Sequence, residues 1–173
     1  MTECVPRARA RTLLGMAQAD TLHTLVTPNF RLGELTFSQT ATRLGLRNRA
    51  GLLECQELEQ TAWLLEDVRK LLGDVPIKIS SGLRVLAVNR AVGSNDDSAH
   101  VWGGAVDFTA PDFGTPQQVA RRIAGSHLQF DQLIFEGSWV HLGRAKAGQA
   151  NRRELLTAVF VPGQKTIYQR GIT

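Results

Sequence analysis

Two strand-like runs, Asp131 to Glu136 and Trp139 to Gly143, stand only Gly137-Ser138 apart. A two-residue loop of this kind joins antiparallel neighbours through a tight turn, so the chain must contain an antiparallel sheet. Period two then sorts the side chains: Val140 and Leu142 take one face, Trp139, His141 and Gly143 the other. Gly104 to Thr109 carries the same alternation, with Asp107 opposed to Val106 and Phe108. Two polar side chains from different strands are thereby expected to look into one cleft, while their neighbours pack a core.

The rest of the chain supplies the cover for that core. Leu58, Ala62, Leu65, Val68 and Leu72 recur every three or four residues, acids fill the remaining faces from Glu54 to Asp67, and Gly73 provides a stop, which predicts a packing helix. Thr115-Pro-Gln-Gln118 reads as an N-cap, a first-turn Pro and a capping-box Gln, with Gly125 ending that helix. Ile77 and Ile79 flank Lys78 in a strand running into Ser80-Ser-Gly-Leu-Arg84, and a short helix is expected over Ala87 to Ala91. Asn29 to Phe37 alternates like a strand before Ser38 caps a short helix, and Glu154 to Val161 reads as a further strand before Pro162-Gly163. With 173 residues and no internal repeat or linker, the sum is a single α+β domain over 29–173. Its sheet is mainly antiparallel with flanking helices, and residues 1–28 form a weakly ordered lead.

Several function classes fall away. No run approaches the ~20 consecutive apolar residues of a membrane span. Cys4 and Cys55 are far apart and outside any Cys-x-x-Cys pair, which argues for two reduced thiols rather than a thiolate zinc site. Arg7, Arg9 and Arg11 precede an apolar stretch and Ala17-Gln-Ala19, a pattern like a signal-peptidase site. Its apolar part is about five residues where a signal needs ~7 to 15, so no exporting signal is expected. The formal charge is +4, and from Arg144 onward six basic residues face one acid, Glu154. That surplus fits a solvated surface or an anionic partner such as a wall polymer. Without a basic helix, interleaved aromatics or zinc-finger spacing, no nucleic acid is expected.

His100, Asp107 and His141 form the set that can carry chemistry. Two imidazoles and a carboxylate suffice for a catalytic zinc, which takes three protein ligands and leaves a fourth position to water. Glu136, across the tight turn from His141, can serve as general base, and Arg84 can hold a substrate carboxylate or a developing oxyanion. Each residue also has an ordinary reading, as a satisfied strand histidine, a surface ion pair or a turn former. Spacing alone leaves the metal site and the structural reading both open.

Ser81-Gly-Leu-Arg84, Asn89, Ser98-Ala-His100, Gly104-Ala-Val-Asp107, Gln132-Leu-Ile-Phe-Glu136 and Trp139-Val-His141 together resemble the motif series of the zinc D-Ala-D-Ala carboxypeptidases and related phage murein endopeptidases, which share a fold with the hedgehog signalling domain. The resemblance runs from about Phe30 to His141. It implies one zinc per chain held by His100, Asp107 and His141, with Glu136 as base or proton shuttle, Arg84 steadying a carbonyl or carboxylate, and Ser98 as a substrate contact. Trp102 and Trp139 would line the cleft. His23 and His127 match no motif and read as structural or exposed. Many members have Ser-Gly-Tyr-Arg-Ser where this chain reads Ser81-Gly-Leu-Arg-Val85. The expected activity is a zinc metallopeptidase hydrolysing amide bonds in peptidoglycan stem peptides, trimming terminal D-Ala or cutting L-Ala from D-Glu. It fits a phage endolysin that is cytoplasmic until its release to the periplasm or cell wall. The rivals are a hedgehog-like zinc domain without turnover and a basic structural component of a phage particle.

Overall fold

The computed structural model of the protein describes residues 23–173. In chain order its elements are α1 (Leu32–Thr36), α2 (Gln39–Leu44), α3 (Leu52–Leu71), β1 (Lys78–Ser81), α4 (Leu86–Ala91), a 3-10 turn (Ala99–Trp102), β2 (Ala105–Thr109), α5 (Pro116–Ala124), β3 (Gln132–Phe135), β4 (Val140–Gly143), β5 (Glu154–Val159) and β6 (Ile167–Arg170).

The hairpin organises the sheet. β3 and β4 pair antiparallel with Ile134 opposite His141, and the turn closes through the Glu136 N–H donating to Trp139 O at 3.0 Å. Gly137 sits there at φ 69°, a left-handed value that a side chain would strain. The six strands run β1-β2-β4-β3-β5-β6, antiparallel at every pairing except β3 with β5. That exception follows from the path. β4 ends and β5 begins beside the same residue, Gln132, so the connection 144–153 only rounds the end of β3. Arg152 fixes the connection by a two-pronged bond to the Asp131 carboxylate, and Arg153 donates to the carbonyls of Ala124, Ser126 and Leu128.

One face of this sheet is the core. Val106, Phe108, Leu133, Val140 and Leu142 join one apolar cluster with Leu58, Ala62, Leu65 and Val68 of α3 and Val119, Ala120 and Ile123 of α5, all fully buried. Helix α5 starts as the sequence predicts, the Thr115 hydroxyl accepting from Gln118 N–H while the Gln118 side chain accepts from Thr115 N–H. Ser38 likewise caps α2.

Three expectations change. Asn29 to Phe37 is not a strand: Leu32 and Leu35, three apart, bury together on α1, and the Glu34 carboxylate accepts from Arg31 N–H at 2.8 Å to close its first turn. The alternation ended on Phe37, which is exposed, so period two had no continuous face to bury. Among the acids of α3, Glu66 is inside, accepting from the Thr27 hydroxyl and from the backbone and side-chain amides of Asn29. Those bonds outweigh burial and hold its carboxyl below the usual range. A sixth strand, β6, completes the sheet beyond the expected ones. Residues 1–22, with Cys4 and the arginine-rich stretch, lie outside the described residues. Of the rest of the expected lead, Val26 and Thr27 are buried and Leu25 bridges Arg31.

Candidate active site

Asp107 and His141 are direct partners across β2 and β4, so their side chains stand together on the face away from the core. The 3-10 turn brings His100 over the same spot. His141 Nδ1 lies 2.9 Å and His100 Nε2 3.2 Å from Asp107 Oδ1, and the two ring nitrogens are 3.1 Å apart. All three side chains are buried.

The protons in this cluster can be placed. His100 Nδ1 is 2.6 Å from the Gly82 carbonyl oxygen, which can only accept. That nitrogen therefore carries the hydrogen, and Nε2 turns a lone pair to the centre. Burial keeps the His100 ring neutral by pushing its pKa down. Burial works the other way on Asp107, but the charge and hydrogen bonding of the two imidazoles outweigh it and hold the carboxylate ionised, well below its ordinary range. Two imidazole nitrogens and a carboxylate oxygen thus face one point. Their spacing is close to the ~3.3 Å that separates ligands held about 2.0 Å from a tetrahedral ion. Two imidazole nitrogens and a carboxylate oxygen form a donor set that suits zinc, and the residues fit it.

The Ser81-Gly-Leu-Arg84 segment explains how His100 is aimed. A Cβ on Gly82 would sit 2.2 Å from the Leu35 carbonyl oxygen, so only glycine lets β1 leave the sheet against α1. Leu83 donates its N–H to that oxygen at 2.8 Å and is fully buried. The Arg84 N–H donates to His100 O at 3.0 Å, returning the chain to the turn that carries the ligand. Asn48 clamps the segment, donating to Thr36 O and Leu83 O and accepting from Val85 N–H.

Above the cluster lies an open cleft of about 880 Å³ lined by Arg84, Ser98, Trp102, Asp107, Glu136, Trp139 and His141. His100 is beneath it. Arg84 Nη1 is 3.6 Å from Asp107 Oδ2, while its Nε is buried without a partner among the described residues, as is Trp139 Nε1. Burial lowers the Arg84 pKa against the pull of Asp107 and Glu136. Glu136 shares the cleft face with Ile134 and His141. Burial, reinforced by the charge of Asp107, raises its pKa, so it holds a proton more readily than a surface glutamate.

The sequence profile of the peptidase M15 family matches residues 28–143, well over half of the chain and the whole span from α1 through His141. The chain belongs to the peptidase M15 family. Zinc D-Ala-D-Ala carboxypeptidase of Streptomyces albus G is 37% identical over 54 residues, 31% of this chain and 21% of that protein. The chain thus spans about a fifth of the length of that curated relative. Membership of a peptidase family agrees with the peptidase class expected from the sequence.

Within this M15 chain, every predicted site residue reaches the cleft or the cluster below it. Trp102 and Trp139 are wall, absent from the core cluster, and the Trp102 ring lies so close over Gly104 that a Cβ there would overlap it. His23 and His127 are exposed and away from the site. Two of the six basic residues from Arg144 onward have carboxylate partners, Arg144 with Glu57 and Arg152 with Asp131 and Glu154, while Arg153 donates to carbonyls. Lys146, over the Trp102 ring at 5.8 Å, is the cation at the cleft with no carboxylate partner among the described residues. Sequence reasoning missed Asn48, the Gly82 carbonyl and Tyr168, which lines the cleft from β6. That Tyr168 is the chain's single tyrosine was the only available signal.

Proposed function

We propose that the protein is a zinc-dependent peptidase that hydrolyses amide bonds in peptidoglycan stem peptides, with His100, Asp107 and His141 as metal ligands. The carrying observation is the convergence of three acceptor atoms from a turn and two strands on one point below a cleft that also holds Glu136 and Arg84. When bound, zinc supplies an acidified water and polarises a carbonyl oxygen. Glu136 takes the proton of the attacking water on its carboxylate and returns it to the leaving nitrogen as the C–N bond breaks, so one proton moves twice and none is lost. Its raised pKa makes it a readier proton holder than a surface glutamate. Arg84 turns its unpaired Nε–H towards the carbonyl oxygen or a substrate carboxylate. Trp102 and Trp139 wall the bound peptide, and Ser98 offers it a hydroxyl.

The name of the Streptomyces relative supports terminal D-Ala as a target; the phage endopeptidases that the motifs resemble support the bond between L-Ala and D-Glu. Zinc analysis combined with mass spectrometry of digested sacculi tests the proposal. About one zinc per chain is expected, with stem peptides shortened by D-Ala or cut after L-Ala. Zinc-loaded protein that leaves stem peptides intact would overturn it.

A further inference from the structure

Tyr168 lies beyond the segment matched by the family profile, on β6, the far edge of the sheet from β1. Register places it. β5 pairs parallel with β3, Leu156 beside Ile134, and β6 pairs antiparallel with β5, Tyr168 opposite Ala158. Ile134, Leu156 and Tyr168 all line the cleft, so β3, β5 and β6 continue the face on which His141 stands. Arg84 follows β1 at one edge and Tyr168 stands at the other, yet the two side chains lie within electrostatic reach of each other, and both reach Glu136. These two long polar side chains thus line one cleft from opposite edges of the sheet. Tyr168 is 50% exposed, so its side chain is open to a bound substrate.

We propose that Tyr168 is a further catalytic residue: its hydroxyl donates a hydrogen bond to the scissile carbonyl oxygen as charge develops there, from the side opposite Arg84. A phenol is protonated at neutral pH and donates without giving up its proton, so it does not compete with Glu136 for the proton that moves. Such a donor acts on the transition state more than on the bound substrate, and its loss should appear in kcat rather than KM.

This rests on the peptidase reading, so the experiment scores the wild type first. On a soluble stem peptide, Tyr168→Phe, which keeps the ring, is expected to lower kcat about 10- to 100-fold with KM changed less than about twofold. Zinc content and melting temperature should match the wild type. A phosphinate analogue of the tetrahedral state, measured by calorimetry, should bind the variant more weakly by a similar factor, while the product peptide binds both proteins alike. An unchanged kcat, or a raised KM with kcat intact, overturns the assignment of Tyr168 and leaves the peptidase reading standing. A wild type that cleaves no stem peptide overturns both.

Discussion

Strand β4 presents two buried surfaces one residue apart. Val140 and Leu142 face the apolar cluster, while His141 between them faces the cleft beside an ionised carboxylate. Burial hardly separates the two, since His141 is 8% exposed and its neighbours 0%. Partner chemistry does. On the core face the gain scales with apolar area removed from water and has no direction, so volume-conserving exchanges are tolerated. On the cleft face each atom needs a particular counterpart, and the same burial makes a missing counterpart costly.

The sharpest way to break this comparison is His141→Ala. It removes one of three ligand atoms, and the protein should lose its stoichiometric zinc and with it all measurable hydrolysis while the fold survives. Zinc retained by this variant in metal analysis would mean the site lies elsewhere. Glu136→Gln should keep zinc and melting temperature and lower hydrolysis on the order of 10²-fold, because an amide cannot take up the water's proton. A wild-type rate would move the base to another group.

Leu142→Ala tests the opposite face of the same strand. The expected cost is about 2–5 kcal/mol of unfolding free energy, read by denaturant titration, with the folded fraction retaining zinc. Should it release zinc as readily as His141→Ala, the two faces are not separable. The smallest effect belongs to Arg152→Gln. Its guanidinium is mostly exposed, so despite its paired bonds to Asp131 it should cost no more than about 1 kcal/mol and leave hydrolysis of a soluble peptide unchanged. Arg153 contrasts with it. Because its guanidinium satisfies three carbonyls at the end of α5, its replacement should lower stability, which an anionic wall-binding role does not require.

Legibility in the sequence followed the same division. The α3 stripe, the Thr115 cap and the Gly137-Ser138 turn are local patterns with one low-energy solution each, and all were readable. That Asp107 and His141 share one cleft was readable because period two on each strand sets their faces against the apolar neighbours; their direct pairing across β2 and β4 was not. What stayed hidden depends on contacts between distant segments. Glu66 looked like a solvated helix acid because its partners, Thr27 and Asn29, are close to forty residues away. Gly82 read as punctuation until Leu35 was found against it. β6 gave no signal, since its four residues are all exposed and an edge strand needs no apolar face. Without β6, Tyr168 had no place in the site.

The far wall of the cleft is joined to the rest of the sheet along one seam, the parallel pairing of β5 with β3. The three proposed ligands all lie on the other side of that seam, within the segment matched by the family profile. Inheritance can therefore act on the two parts at different rates. Changes in 154–173 can alter the far wall of the cleft, Tyr168 included, while the part that carries the three clustered side chains is handed on unaltered.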